Sequence, residues 1–104
     1  FFALRYDFPT EWAAFRNGTG DLAVRIRKDY FPYAVQSETL GFQSIELHVP
    51  KGAGLAKRTL AIPTDFADEL NGPDGSTVLT VAPDASILKR TAPHVFLLVR
   101  YAIE

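Results

Sequence analysis

Glu46 and His48 are the residues of this chain whose types and spacing come nearest to a chemical site. They stand two positions apart in an alternating segment, so on a strand both side chains project to the same side. A carboxylate and an imidazole placed in this way could supply two ligands to a metal ion. Zinc sites use three or four ligands, however, and the chain has no Cys and two His in all. We interpret the pair as solvated on the polar face of a strand, and we predict neither a metal site nor a cofactor.

The acidic residues Asp65, Asp68 and Glu69 fall within one predicted helical turn and are a second candidate for chemistry. Acid–base catalysis by two carboxylates requires two different environments in one cleft. The preference of acidic side chains for the first turn of a helix explains this cluster without a site. The serines have no nucleophile-elbow motif around them, and the sequence has no Gly-rich phosphate-binding loop. We therefore predict that the chain is not an enzyme.

The segment of residues 25–33 mixes basic and aromatic side chains and is the first place to look for a binding face. Arg25 and Arg27 share one face of a predicted strand, and Tyr30 and Tyr33 beside them could stack on a sugar or a base. Exposed Arg and Tyr are also enriched in protein interfaces. In the alternative interpretation, Phe31 and one tyrosine belong to the core and the arginines are simply solvated. The predicted binding residues are Arg25, Arg27, Tyr30 and Tyr33.

Composition places the chain among ordinary globular domains. Hydrophobic residues make up 47% and charged residues 22% of its 104 positions, which suffices for one modest core and is too apolar for long disorder. We expect a single domain over residues 1–104. The net charge of -1 gives no support to a nucleic-acid partner, because such proteins carry a basic excess. No apolar run is long enough to span a bilayer, so we also expect no membrane span.

Hydrophobic residues alternate with polar ones at a period of two, which is typical of half-buried β-strands. The alternating or apolar runs are short and separated by turn residues, and they lie at residues 2–6, 22–27, 45–49, 60–62, 78–81 and 95–99. Six or seven such strands predict an all-β fold, an antiparallel β-sandwich of the jelly-roll or Ig-like kind with one or two short helices. The last run is apolar on both faces, which indicates a central strand, and we expect it to pair with the first.

Two short helices are predicted between the strands. Pro9 suits the first turn of a helix, and Trp12 and Phe15, three residues apart, then share one face. We assign these two aromatic residues a structural role, closing one end of the sandwich. Residues 64–72 predict a second helix, with Thr64 as its N-terminal cap and an Asn-Gly stop.

Arg100 is a charge in an otherwise apolar terminal strand, where it shares a face with Phe96 and Leu98. A charge in that position must be paired or must lie at the rim of the sandwich. Asp7 or Glu11 would be its partner if the two terminal strands pair. We therefore assign Arg100 a structural role rather than a catalytic one.

Three short motifs resemble the C-terminal region of the large bacterial Tc-toxin A-subunit-like proteins, which belong to insecticidal toxin complexes. The motifs are FPTEWAAF at residues 8–15, YFPY at residues 30–33 and FLLVRY at residues 96–101. The first follows an opening strand and the last closes the chain, so the similarity covers nearly all of it. Ala13 and Ala14 stand where that group has bulkier aromatic or basic residues, and the chain is shorter than a complete domain that binds the B subunit.

The resemblance implies a β-rich C-terminal module of a much larger toxin component, cytoplasmic before release and then secreted or extracellular. In that group the C-terminal part of the A subunit is similar to a docking platform for the B and C subunits, and other β-sandwich modules bind receptors. We therefore expect a non-catalytic virulence module that docks a protein partner, either a B-type toxin subunit or another chain of the complex. The alternative is a carbohydrate- or receptor-binding module that uses residues 25–33.

Overall fold

The computed structural model describes residues 2–51, 54–82 and 94–104 of the chain. Within them, six β-strands form two antiparallel sheets and are joined by two short α-helices, which confirms the predicted all-β, sandwich-like fold. The elements in chain order are β1 (Phe2–Asp7), α1 (Pro9–Asn17), β2 (Leu22–Arg27), β3 (Leu40–Lys51), β4 (Gly54–Leu60), α2 (Phe66–Leu70), β5 (Ser76–Val81) and β6 (Phe96–Ile103). Two single-turn 3-10 helices, Lys28–Tyr30 and Tyr33–Val35, lie between β2 and β3. Neither of the two described α-helices is long or apolar enough to cross a membrane.

The larger sheet has four strands in the order β1-β6-β3-β4. β6 lies between β1 and β3, so the predicted central position of the last run and its pairing with the first strand are both confirmed. The register sets Val99 of β6 between Leu4 of β1 and Ile45 of β3. A bulge between Phe42 and Ser44 shifts the register of β3 by one residue. Such a shift exchanges the two faces of a strand, so Phe42 and Ile45 can both face the core although they are an odd number of residues apart.

The smaller sheet consists of β2 and β5, and both sheets contribute to one hydrophobic core. Along β2 every second side chain is fully buried and the intervening ones are exposed. This alternation is what an antiparallel sheet requires when one face is packed and the other solvated. Phe31 lies at the centre of the aromatic part of the core, with its ring edge-on to Tyr101 at 4.9 Å.

Helix α1 spans Pro9–Asn17, with Pro9 in its first turn as the sequence predicts. Its buried face carries Trp12 and Phe15, each 4% exposed, with their rings stacked at 5.2 Å. Helix α2 is shorter than predicted and begins at Phe66, after a cap position that makes no side-chain cap hydrogen bond. The prediction that Thr64 caps this helix is therefore wrong. The helix is a little over one turn long, and its two ends, Phe66 and Leu70, are buried.

Asn71 follows α2 and ties the helix to the start of β3. Its Nδ2 donates to the backbone oxygens of Leu40 at 2.8 Å and Ala67 at 2.9 Å. Its Oδ1 accepts from the backbone N–H of Leu40 at 2.9 Å and from Lys28 Nζ at 2.8 Å. The amide therefore uses both donors and both acceptor positions that it has, and it bonds Leu40 as a neighbouring strand would. We call these four residues the Asn71 clamp.

Candidate binding surfaces

The two predicted arginines project from the exposed face of β2, as expected. Arg25 Nη1 donates to Ser76 Oγ at 3.1 Å, across the small sheet. Arg27 Nη2 lies 2.7 Å from Asp29 Oδ2, and this carboxylate raises the pKa of Arg27. The charge of Arg27 is therefore matched inside the chain, whereas Arg25 has no acidic partner among the described residues.

The two predicted tyrosines differ in their surroundings. Tyr33 is 89% exposed, whereas Tyr30 is 37% exposed and stacks on Tyr6 of β1 with ring centroids 4.8 Å apart. Burial raises the pKa of Tyr6, and the neighbouring Tyr30 and Glu11 raise it further. Phe31 is buried and the arginines are solvated, as in the alternative interpretation, but neither tyrosine belongs to the buried core. The two tyrosines therefore differ as binding residues, since Tyr33 offers a largely free ring and Tyr30 a ring that is partly covered by Tyr6.

The segment that carries the tyrosines, residues 28–38, is tied down along its length, and we call it the aromatic loop. Two of its side chains are anchored in the core, namely Phe31 and Val35. Gln36 Nε2 donates to the backbone oxygen of Phe31 at 2.9 Å, and Lys28 Nζ donates to a backbone oxygen near the end of the loop at 2.7 Å. Tyr33 thus stands on a fixed stretch of backbone between two buried anchors.

A second cluster lies on the face of the larger sheet that points away from the core. Glu46 and His48 of β3 project to the same side, but their side chains are only 16% and 10% exposed, so the prediction of a solvated pair is wrong. His48 Nε2 lies 3.1 Å from Glu46 Oε1. The Phe96 ring of β6 stacks on His48 at 4.9 Å, and the Arg5 guanidinium of β1 lies 4.0 Å from the centre of the Phe96 ring. Together with Arg100, these residues form what we call the outer-face cluster.

Arg100 pairs with Glu46 and not with Asp7 or Glu11. Its Nη1 lies 3.4 Å from Glu46 Oε1. The register explains the difference, because Asp7 is opposite Phe96, four residues along β6 from Arg100, which is about 13 Å at the rise of a strand. Glu11 instead accepts a hydrogen bond from the hydroxyl of Tyr6 in β1. The predicted partners of Arg100 were therefore wrong, although the pairing of the terminal strands was right.

The electrostatics of the outer-face cluster centre on Glu46 and His48. The hydrogen bond with His48 holds the pKa of the Glu46 carboxyl below its usual value, with a smaller contribution from the charge of Arg100 and against the opposing effect of burial. His48 Nδ1 is buried and has no hydrogen-bond partner among the described residues. A buried polar atom without a partner costs about 1–3 kcal/mol. The described residues contain no group of three His, Cys, Asp or Glu side chains that could hold a metal ion.

Sequence reasoning missed this cluster because its members come from three strands. The available signals are the Glu-x-His alternation and the isolated charge of Arg100, and neither of them indicates that the two segments are neighbours. Phe96 and Arg5 join the cluster only through the strand order β1-β6-β3. No local pattern in the chain predicts which strands are neighbours.

Comparison with protein-family models, with curated proteins and with solved structures found no match to this chain. The resemblance to Tc-toxin A-subunit-like proteins therefore stays a prediction that rests on its three motifs. Two of those motifs overlap the surfaces described above. Residues 30–33 belong to the aromatic loop, and residues 96–101 belong to β6, which contributes Phe96 and Arg100 to the outer-face cluster.

Proposed function

We propose that the chain is a non-catalytic module that docks a protein partner through the aromatic loop, with Tyr33 as the anchor. The observation that carries this proposal is the 89% exposure of Tyr33 on a loop whose backbone is held by buried neighbours and side-chain hydrogen bonds. An aromatic side chain on a fixed backbone loses little conformational freedom when it binds. Tyr is also among the residues that dominate the energetics of protein interfaces.

Residues that precede Tyr33 in the chain, on β2 and in the aromatic loop, offer polar groups for such an interface. Arg25 carries a charge without an acidic partner in the described part of the chain, and it suits a carboxylate on the bound protein. Tyr30 is partly exposed and is held in place by its stack on Tyr6. An aromatic anchor with a polar rim is the usual composition of a protein–protein interface.

The class of partner comes from the sequence resemblance alone. That resemblance implies a B-type toxin subunit or another chain of a Tc-toxin-like complex as the protein that docks. A secreted or extracellular location, as part of a larger bacterial toxin, belongs to the same proposal.

The test is a titration of the chain with a purified B-type toxin subunit, comparing wild type with Tyr33→Ala. We expect the variant to bind at least about tenfold more weakly, a loss of about 1.4 kcal/mol, with an unchanged thermal midpoint because Tyr33 is outside the core. Leu55→Ala is the matched control, since Leu55 is an exposed apolar residue of β4. Equal binding by wild type and Tyr33→Ala would contradict docking through the loop. Failure of the wild type to bind would contradict the choice of partner.

Carbohydrate binding is the second candidate, and the same exposed ring favours it. A tyrosine ring that is largely free on the surface offers an apolar face with a polar hydroxyl for stacking against a sugar. A glycan array probed with wild type and Tyr33→Ala separates the two functions. Binding to a defined glycan that is lost in the variant, without binding to the toxin subunit, would replace the docking proposal by this one.

A further inference from the structure

Both asparagines of this chain precede a glycine, in the pairs Asn17-Gly18 and Asn71-Gly72. Asn-Gly is the dipeptide at which a protein most readily loses side-chain ammonia, because glycine has no side chain to shield its backbone nitrogen and adopts a wide range of conformations. Asparagine is accordingly counted among the thermolabile residues. The two pairs share the same local chemistry, so a difference between their reactivities must come from the fold around them.

Asn17 is the last residue of α1, and the turn that follows it is open to solvent. Residues 16–21 are all exposed, and the Asn17 amide has no hydrogen-bond partner among the described residues. The Gly18 N–H donates to the backbone oxygen of Phe15 at 3.3 Å, which is longer than the upper end, about 3.2 Å, of the usual range for such bonds. Helix ends fray more readily than helix interiors, so the Gly18 nitrogen can reach the Asn17 side chain when only the end of the helix opens.

Asn71 has the opposite surroundings, because the clamp holds its side chain on every side. Its Nδ2 donates to the backbone oxygens of Leu40 and Ala67, and its Oδ1 accepts from the Leu40 N–H and from Lys28 Nζ. The Gly72 N–H is also engaged, since it donates to a backbone oxygen of α2 at 3.2 Å. The Gly72 nitrogen can therefore attack the Asn71 side chain only after the bonds that join α2 to β3 have opened.

We propose that Asn17 is a site of spontaneous deamidation and that the fold protects Asn71 from the same reaction. The Gly18 nitrogen attacks the side-chain carbonyl carbon of Asn17, and the new C–N bond closes a succinimide ring. The bond from that carbon to the side-chain nitrogen breaks, and ammonia leaves with the proton of the Gly18 N–H. Water then opens the ring at either of its carbonyl carbons. The products carry aspartate or isoaspartate at residue 17, and each has an additional negative charge.

The modification changes the end of α1 and leaves the other described networks in place. The new carboxylate lies at the C-terminal end of the helix, where the helix dipole disfavours a negative charge. The last turn of α1, next to the buried Phe15, is therefore loosened. Isoaspartate also adds a carbon to the main chain at this point and interrupts the helical spacing. The reaction involves neither Tyr33 nor the aromatic loop, so the proposal stands or falls independently of the docking function.

The test is incubation of the folded chain in mildly alkaline buffer, with a parallel sample kept unfolded in urea. Cleavage after glutamate places Asn17 in the fragment of residues 12–38 and Asn71 in that of residues 70–104. Mass spectrometry then follows each reaction by the mass gained when an amide becomes a carboxyl group. In urea we expect both asparagines to react at comparable rates. In the folded chain we expect Asn17 to stay within about tenfold of its rate in urea and Asn71 to react at least about a hundredfold more slowly than in urea, because its hydrogen bonds must open first.

Asn17→Gln is the matched control, since glutamine keeps the amide at this exposed position but forms the corresponding larger ring far more slowly. We expect the fragment of residues 12–38 from this variant to gain no mass over the same period. Equal rates at Asn17 and Asn71 in the folded chain, whether both fast or both slow, would overturn the proposal. A mass gain in that fragment of Asn17→Gln at the wild-type rate would also overturn it, because the reaction would then lie at an amide other than that of Asn17.

Discussion

The Asn71 clamp and the outer-face cluster are both partly buried polar networks, and they are built on opposite principles. Asn71 bonds mainly to backbone groups, and every hydrogen-bonding position of its amide is used. The outer-face cluster joins side chains only, and His48 Nδ1 is left without a partner among the described residues. A network that completes the bonding of the backbone cannot be replaced by apolar packing, whereas a network of side chains can. We therefore expect the fold to require the Asn71 clamp and to tolerate replacement of side chains in the outer-face cluster.

Replacing Asn71 tests the first half of this comparison and has the largest expected effect. Asn71→Leu keeps a side chain of similar size but leaves the N–H and C=O of Leu40 without the bonds that Asn71 makes to them. The C=O of Ala67 loses one of its two bonds and keeps the one from the backbone N–H of residue 71. Since Leu40 is fully buried, we expect the free energy of unfolding, measured in urea, to fall by about 3 kcal/mol or more. Asn17→Leu, at the exposed end of α1, is the matched control and should change it by less than about 0.5 kcal/mol. Equal effects of the two variants would contradict the special role of the clamp.

The dependence of stability on pH tests the charged part of the outer-face cluster. Because the pKa of Glu46 is lowered in the folded chain, its carboxylate stabilises the fold above its unfolded pKa of about 4.3, and this stabilisation is lost as pH falls through the folded value. Glu46→Gln does not titrate. At neutral pH we expect the variant to be less stable by about 1 kcal/mol, and we expect this difference to shrink between about pH 5 and pH 3. Parallel profiles of wild type and variant over that range would contradict the assignment.

His48→Phe has the smallest expected effect and sharpens the contrast with Asn71. The substitution removes the buried Nδ1 that lacks a partner, retains a ring that can stack on Phe96, and leaves Glu46 with Arg100. We expect the free energy of unfolding to change by no more than about 0.5 kcal/mol, because the lost hydrogen bond to Glu46 is offset by the removal of the buried Nδ1 that lacks a partner among the described residues. A loss comparable to that of Asn71→Leu would show that the two networks do not differ in kind.

The strands and the first helix could be predicted from the sequence because each is specified by its own residues. Leu22, Val24 and Ile26 alternate with exposed residues as half-buried strands require, and Pro9 with Trp12 marks the start and the buried face of α1. The networks could not be predicted in this way. Arg100 finds Glu46 through the neighbouring strands β6 and β3, and residues 54 positions apart carry no local sign of being neighbours.

The same distinction, between features set by local sequence and features set by neighbouring strands, applies to the candidate surfaces. The exposure of Arg25 and Arg27 is expected from alternation and residue type, whereas no pattern in the sequence indicates which of the two tyrosines is the more exposed. The burial of Glu46 and His48 was not, because it depends on Phe96 and Arg5 packing beside them across three strands. Single-strand patterns report which side of a sheet a residue occupies, and they say nothing about the neighbours that then cover it.

The position of β6 has a consequence for how the fold is reached. β6 is one of the two central strands of the larger sheet and the last of the described strands, and it is bonded to β1 on one side and to β3 on the other. During synthesis, β1 has no strand to pair with in this sheet until residues 96–103 have been made. Pairings between segments so distant in sequence form slowly. The larger sheet therefore stays incomplete until residues 96–103 have been made, and β6 then joins β1 to β3.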